Sequence, residues 1–185
     1  MSVKEFFAVK GVFTTKHIAV MAMLLAVRAI SGFFPLTIYL NGTIKVFTLA
    51  HIVDAICAMF FGPIAGFVFG FAGDFLGYVA SQGAGGAYAP WYAISEMATC
   101  FLFALFLYKR PVTWLRTIIP SVLNLGIVFL GLNTLWLNLY IGAEATLAAL
   151  PFRVGLNAAM TPVYIVILWF VLTRIKAVVE KHKLL

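Results

Sequence analysis

Long apolar runs alternate with short polar stretches along the whole chain. A helix that spans a bilayer needs about 20 mainly apolar residues, and fewer where neighbouring helices bury it. By that measure the sequence divides into six apolar segments. They lie near residues 17–34, 47–61, 64–80, 91–108, 117–140 and 152–174. The predicted fold is therefore an all-α membrane protein, a bundle of six transmembrane helices in one integral domain, 1–185.

The first two connectors carry turn residues. Residues 34–45 place branched side chains around Asn41-Gly42, a dipeptide that favours a tight hairpin turn. We therefore expect a short β-hairpin-like first outer loop. Gly62-Pro63 predicts a tight cytoplasmic turn between the second and third segments, because proline is tolerated in the first turn of a helix.

Two further outer loops are expected. The glycine-rich stretch 81–90 favours either a flexible loop or a gate whose backbone approaches a ligand closely. Residues 141–151, which include Glu144, are expected to form the last outer loop.

Composition excludes an ordinary water-soluble domain. Hydrophobic residues make up 64% of the chain and charged residues 10%, whereas soluble domains carry about 25% charged residues. The mean hydropathy is +1.06. A net charge of +7 would favour nucleic-acid binding in a soluble chain, but here most basic residues are confined to connectors, so no nucleic-acid partner is expected.

The basic connectors indicate topology. Ten of the thirteen lysines and arginines fall in three connectors: Lys4, Lys10 and Lys16; Lys109, Arg110 and Arg116; Arg174, Lys176, Lys181 and Lys183. Cytoplasmic loops carry an excess of such residues, and an even number of spans returns both termini to one side. The sequence thus predicts a multi-pass protein of the cell membrane with both termini in the cytoplasm.

The sequence lacks the motifs of most enzymes and ATPases. It contains no GxxxxGK[ST] phosphate loop and no HExxH, paired CxxC or GxSxG motif. Cys57 and Cys100 lie in apolar runs, which suits small buried residues better than a disulfide or a metal site. We expect no catalytic residue, no metal and no cofactor. Of the three histidines, His51 has an outer-half position that fits either a ligand contact or helix packing.

Charged residues inside apolar segments are costly and mark candidate sites. Arg28 lies in the first segment, Asp54 in the second and Asp74 in the third. Arg28 could form a neutralised structural pair with either carboxylate. Alternatively, these groups bind a polar heterocycle or an acid that enters from outside.

Aromatic residues cluster before and within the fourth segment. Tyr88, Trp91 and Tyr92 fit an interfacial belt, because tryptophan and tyrosine favour that depth in any membrane protein. They fit equally a stacking platform for a flat ring, with Ser95 or Glu96 holding the edge of that ring.

Polar residues also mark the outer ends of the last two segments. Asn133, Trp136 and Asn138 need hydrogen-bond partners in apolar surroundings, either between helices or on a ligand. Lys45 and Arg153 are outer cations that run against the positive-inside trend. Two such cations would attract and hold an anionic ligand.

Over nearly its whole length the chain resembles the substrate-binding S components of energy-coupling factor (ECF) vitamin transporters. The resemblance rests on the six short apolar segments, on AMLLA at 22–26, and on GPIAGFVFGFAGDFLGY at 62–78. Within that family the chain resembles the folate-specific members, through APWYAISE at 89–96, LNTLWL at 132–137 and LPFR at 150–153.

The resemblance implies a subunit that captures a vitamin at its outer end. It then docks on a membrane coupling subunit energised by two ATPases and topples within the membrane, so that its site opens to the cytoplasm. The family docks through a stripe of small residues, so Ala22 and Ala26 inherit that role. From spacing alone, this stripe fits internal helix packing equally well.

Folate matches the candidate residues chemically. Its pterin offers an amino-pyrimidinone edge to a carboxylate such as Asp74, and a flat face to aromatic side chains. Its anionic glutamate tail suits cations near the mouth, while Asp74 and Asn133 are expected at the deeper ring. The role of Arg28 at ring or tail stays open. The expected substrate-binding set is Arg28, Lys45, Phe71, Asp74, Tyr88, Trp91, Tyr92, Glu96, Asn133, Trp136 and Arg153.

Other functions compete with this interpretation. An S component for riboflavin, thiamin or a queuosine precursor is the nearest, although the outer cations argue against cationic thiamin. A standalone channel or permease would need polar residues across the membrane, and the inner halves of these segments are nearly all apolar. A membrane enzyme lacks a nucleophile or metal constellation.

Overall fold

The computed structural model describes residues 13–31, 36–39, 43–47, 50–80 and 88–182. Five helices form within these residues: α1 Thr15–Ser31, α2 Ala50–Ala80, α3 Trp91–Leu107, α4 Trp114–Ile141 and α5 Ala143–His182. Two short strands, β1 Leu36–Tyr39 and β2 Thr43–Phe47, lie between α1 and α2. The fold is therefore mainly helical.

The two strands pair in antiparallel register. Tyr39 pairs with Thr43 and Thr37 with Lys45, and the register shifts between Leu36 and Thr37. Asn41-Gly42, the dipeptide on which the predicted hairpin turn rests, lies outside the described residues.

Helix α2 is folded back on itself at Gly62. The backbone there has φ 84° and ψ −173°, a conformation that favours glycine. A Cβ atom on Gly66 would lie 3.8 Å from the Cα of Ala58, which in one straight helix would be about 12 Å away along the axis. The two halves of α2 therefore pack against each other, with the turn at the predicted position.

Glycines line the contact between the second half of α2 and α3. A Cβ on Gly66 would lie 3.3 Å from the Cβ of Cys100, and one on Gly70 only 2.8 Å from the carbonyl oxygen of Glu96. Residues four apart share one face of a helix, and small residues on that face let two backbones approach closely. This close packing sets the position of Glu96 relative to α2.

Helix α4 contains a π-helical stretch. Its α-helical parts, Trp114–Leu123 and Asn133–Ile141, flank a π-helix at Asn124–Leu132. π-Helical turns are rare and often occur at functional sites. The predicted span, 117–140, lies within α4, but nothing in the apolar pattern indicated the wider turns.

The predicted outer loop at 141–151 is wrong, because most of it is helical. Only Gly142, with φ 87°, interrupts the chain, and α5 begins at Ala143. The residues that follow include several alanines and leucines, which favour helix, and Pro151 lies inside α5. The helix also continues past the predicted end at residue 174, to His182.

The buried core lies between α2, α3 and α5, with α1 against α2. One apolar cluster includes Ile56, Phe103 and Leu168, and a second includes Cys57 and Cys100, both free thiols. Helices α4 and α5 are long and apolar enough to cross a membrane, α2 reaches its 31 residues only when its two folded-back halves are counted together, and α3 is a shorter apolar helix.

Candidate functional site

A buried charged cluster joins the first three helices. Arg28 on α1 donates hydrogen bonds to Asp54 on α2, from Nε to Oδ1 at 2.6 Å and from Nη2 to Oδ2 at 3.3 Å. Its Nη2 also donates to Oε2 of Glu96 on α3 at 2.8 Å. Buried charges need such partners. Of the two carboxylates that the sequence offered to Arg28, the structure pairs it with Asp54.

A glycine makes room for this guanidinium. A Cβ on Gly73 would lie 2.6 Å from Nη1 of Arg28, so any larger residue would displace the arginine. The guanidinium therefore leaves room only for glycine at this point of α2.

His51 completes the buried charged cluster of Arg28, His51, Asp54 and Glu96. Its Nδ1 lies 3.7 Å from Oδ2 of Asp54 and 3.7 Å from Oε2 of Glu96. Both distances are too long for a hydrogen bond. The imidazole packs edge-on against Phe129 in the π-helical stretch of α4, with ring centroids 5.4 Å apart.

Three residues of this cluster could in principle hold a metal ion. Ligand atoms of His51, Asp54 and Glu96 all lie within 4.8 Å of one another. However, the guanidinium of Arg28 already binds both carboxylates, and it would repel a second cation at such short range. We therefore assign no metal to the cluster.

Asp74 contacts an aromatic group near the C-terminal end of α2. Its Oδ2 accepts a hydrogen bond from the Tyr88 hydroxyl at 3.0 Å. The Tyr88 ring packs against Phe75 and Tyr78, with centroids 5.6 Å and 5.1 Å away. Partial burial and the neighbouring Asp74 carboxylate raise the pKa of Tyr88 to about 12, so this phenol stays protonated near neutral pH.

Four buried polar atoms have no hydrogen-bond partner within the described part of the chain. They are Nδ1 of His51, Nε1 of Trp91, Oδ1 of Asn133 and Nη1 of Arg153. They come from four different helices, α2 to α5. Leaving one such atom unsatisfied costs about 1–3 kcal/mol, so each needs a partner that these residues do not supply.

Two side-chain hydrogen bonds join neighbouring helices, and one of them involves Trp136. The indole N–H of Trp136 donates to Oγ of Ser95 at 3.0 Å, and the Thr99 hydroxyl donates to Oδ1 of Asn124 at 2.9 Å. Helix packing, one of the two alternatives that the sequence left open, therefore accounts for the Trp136 N–H.

The remaining expected contacts are spread over several elements. Phe71 is half exposed on α2, and Tyr92 is partly buried on α3 beside Arg153. Lys45 lies on β2, opposite Thr37. On α1 both docking candidates, Ala22 and Ala26, are exposed, so they do not form internal packing within the described residues.

The buried charged cluster lines neither of two open cavities found within the described residues. The larger, about 400 Å³, lies between α4 and α5 and includes Asn138 and Thr146 in its wall. The smaller, about 330 Å³, is an apolar groove beside Pro63 and Phe101. Neither cavity contains the four unsatisfied polar atoms in its wall.

Sequence reasoning missed three features of this site. The glycines at 66, 70 and 73 were readable as small residues at spacings of four and three. His51 was expected to fit either a ligand contact or helix packing and was left outside the expected binding set; its approach to Glu96 depends on how α2 and α3 pack. The π-helical stretch that holds its ring has no signature in the apolar pattern.

Comparison with known proteins places the chain among transporters. Residues 16–179 match the family described as ECF transporter, substrate-specific component. Folate transporter FolT of Clostridium novyi (strain NT) is 26% identical over 115 residues. That alignment covers 62% of this chain and 65% of that protein, slightly less than two thirds of its length.

A solved structure, described as the crystal structure of FolT bound with folic acid, shares the fold. The two superpose with a TM-score of 0.76, over 87% of this chain and 95% of the other, at 24% sequence identity. At that identity the likeness shows the fold alone.

Proposed function

Because the chain belongs to the substrate-specific components of ECF transporters, we propose that it binds folate and delivers it to an ATP-driven importer. Support for folate comes from the folate transporter that it resembles in sequence and from the folic-acid-bound protein whose fold it shares. The family consists of transporter components rather than enzymes, so the ligand is bound and released unchanged.

The observation that carries this proposal is the set of unsatisfied buried atoms on α2, α3, α4 and α5. Trp91 and Arg153 offer N–H donors, Asn133 offers an acceptor, and His51 offers a ring nitrogen. A ligand that satisfies such a mixed set needs both donors and acceptors. Folate has this mixed character in its pterin ring and amide.

The charges favour one orientation of the ligand. Arg28 is bound to Asp54 and Glu96, so we assign the anionic glutamate tail to Arg153, with Lys45, rather than to Arg28. The carboxylates of Asp74 and Glu96 suit the N–H donors of the pterin, and Trp91, Tyr92 and Tyr88 suit its face. Phe71 and Asn133 complete the proposed ring site, and Trp136 positions Ser95 beside it.

Partners follow from the family and from the exposed stripe on α1. A folate-loaded subunit would dock on a membrane coupling subunit through Ala22 and Ala26, which are free of internal contacts that would hide them. Two ATPase subunits would supply the energy, since the chain has no phosphate loop of its own.

The proposed topology has six spans in one integral domain, 1–185, of the cell membrane. The two halves of α2 would each enter the bilayer, so that α1, the halves of α2, α3, α4 and α5 make the six. Both termini would be cytoplasmic, in keeping with the basic residues near each.

Ligand titration of variants tests the site. We expect Arg153→Ala, in detergent-purified protein, to weaken folic acid binding about tenfold to a hundredfold, because a charge-assisted contact is lost. Quenching of tryptophan fluorescence reports the binding. Arg174→Ala, at the exposed inner end of α5, is the matched control and should bind as the wild type does.

Two results would contradict the proposal in different ways. Equal affinity of Arg153→Ala and Arg174→Ala for folic acid would contradict the assignment of the glutamate tail to Arg153. Binding of riboflavin in place of folic acid by the wild type would keep the transporter family and overturn the substrate.

A further inference from the structure

The two carboxylates of the buried charged cluster differ in what they can still bind. Asp54 is fully buried, and Arg28 occupies both of its oxygens. Glu96 keeps 22% of its side chain exposed and meets Arg28 through Oε2 alone. Within the described residues no hydrogen bond involves Oε1 of Glu96. Glu96 is therefore the carboxylate of this cluster that can receive a ligand.

His51 is held beside Glu96 without being bonded to it. The 3.7 Å between Nδ1 and Oε2 exceeds hydrogen-bond distance, and Nδ1 is buried without a described partner. Phe129 packs edge-on against the imidazole and restricts its rotation. The nitrogen and the carboxylate thus lie side by side, each able to bind a separate atom of one ligand edge.

We infer that His51 and Glu96 together recognise the polar edge of the ligand ring, a role for which Arg28 and Asp54 act only as positioning residues. The inference rests on the proposed function. The edge of a 2-amino-4-oxo-pyrimidine presents two N–H donors followed by a carbonyl acceptor. Glu96 accepts from the two donors, and Nδ1–H of His51 donates to the carbonyl oxygen.

This pairing makes His51 a determinant of specificity. A ring with an amino group in place of the 4-oxo group presents a donor where Nδ1–H requires an acceptor, and its N3 also lacks the N–H from which Glu96 would accept. Two facing donors leave both groups unsatisfied, and a site built to bond one polar group rejects the analogue that lacks it. The site should therefore prefer folic acid to its 4-amino analogue, aminopterin.

The same geometry has a purely structural explanation. An imidazolium at His51 would balance the cluster, with two positive and two negative groups, and would need no ligand contact. Both explanations predict some loss of stability when His51 is replaced. Only the ligand contact predicts a change in the ratio of the two affinities.

The test is the ratio of dissociation constants for aminopterin and folic acid in the full-length purified protein. We expect roughly a tenfold preference for folic acid in the wild type. His51→Phe keeps a flat ring against Phe129 but removes the N–H, so the ratio should fall by at least about threefold, while the part of the preference that comes from Glu96 and the ring N3–H should remain. His51→Asn places an amide N–H near the position of Nδ1 and should restore the preference.

His182→Phe, at the exposed end of α5, is the matched control and should keep the wild-type ratio. A wild-type ratio near one, or an unchanged ratio in His51→Phe, would overturn the role of His51. If His51→Phe does not fold, the ratio in His51→Asn against His51→Leu decides in the same way. A wild type that binds neither pteridine would instead contradict the proposed substrate, and the inference would fall with it.

Discussion

Arg28 is the residue on which the buried charged cluster depends. It is 6% exposed and is the shared counter-ion of Asp54 and Glu96. Removing one partner of a buried ion pair leaves an uncompensated charge, which costs about 3–5 kcal/mol. The ion pairs of Arg28 with Asp54 and Glu96 therefore hold α1 against α2 and α3. They are not by themselves a source of net stability.

Replacement of Arg28 by methionine should lower the free energy of unfolding by about 3–5 kcal/mol, because both carboxylates lose their counter-ion. Chemical unfolding in detergent measures the change. Arg116→Met, which removes a single bond to the Pro111 carbonyl on the surface, should change it by less than about 1 kcal/mol. Similar losses in both variants would contradict the structural role of Arg28.

Titration of Tyr88, which lies outside the helices, tests its hydrogen bond to Asp74. Its folded pKa of about 12 exceeds the ordinary value of 10.0, so the hydrogen bond to Asp74 stabilises the fold fully below pH 10 and is lost as pH rises through 12. Ultraviolet titration of the wild type against Tyr88→Phe should give a difference with its midpoint near pH 12. A midpoint at the ordinary value would mean that Asp74 does not hold this phenol.

Among single residues, chemistry was easier to predict than geometry. Charged or amide groups in apolar segments need partners, and this made five residues recognisable as candidates: Arg28, Asp54, Glu96, Asn133 and Arg153. Which partner each one takes depends on how the helices cross. Arg28 could have paired with Asp54 or Asp74, and only the packing of α1 against α2 decides between them.

At the scale of elements, the glycine face of α2 sets the distance to α3. The near contact of Gly70 with the Glu96 carbonyl leaves no space for a side chain. Gly70 thus fixes both the interhelix distance and the depth of Glu96.

Gly70→Leu should destabilise the protein by more than about 2 kcal/mol and weaken ligand binding, because α3 must move away with Glu96. Gly155→Ala, on α5, has open space around its Cβ and should be neutral or stabilising by up to about 1 kcal/mol. Thermal unfolding and titration of both variants measure the contrast. A tolerated Gly70→Leu would refute the close packing.

Helix boundaries were predictable only where composition changes sharply. The apolar run that follows Pro90 ends near the basic pair Lys109-Arg110, and α3 spans Trp91–Leu107. By contrast, residues 141–151, which include Glu144, were expected to form a loop, whereas α5 begins at Ala143 because the alanines and leucines there favour helix. The π-helical stretch of α4 reflects packing against α3 and His51, which no local pattern encodes.

At the scale of the whole molecule, the proposed ligand site and the proposed docking surface use different kinds of residue. The four unsatisfied polar atoms, at which we propose that the ligand binds, are buried, whereas Ala22 and Ala26 are exposed on α1. A small flat surface allows close helix approach in a membrane. The two functions can therefore be separated by mutation.

Ala26→Leu should leave folic acid binding within about twofold of the wild type but abolish uptake by cells that supply the coupling module, because a larger side chain holds the partner helix away. Ala148→Leu, also exposed but on α5, should support normal uptake. Loss of folate binding in Ala26→Leu, or normal uptake by it, would contradict docking through this stripe.

The most direct test of the account is equilibrium titration of the purified wild-type chain with folic acid, with riboflavin and thiamin as competitors. We predict saturable binding of one folic acid per chain that neither competitor displaces. Displacement by riboflavin, or no folic acid binding by a folded sample, would contradict the claim that this chain is a folate-binding component.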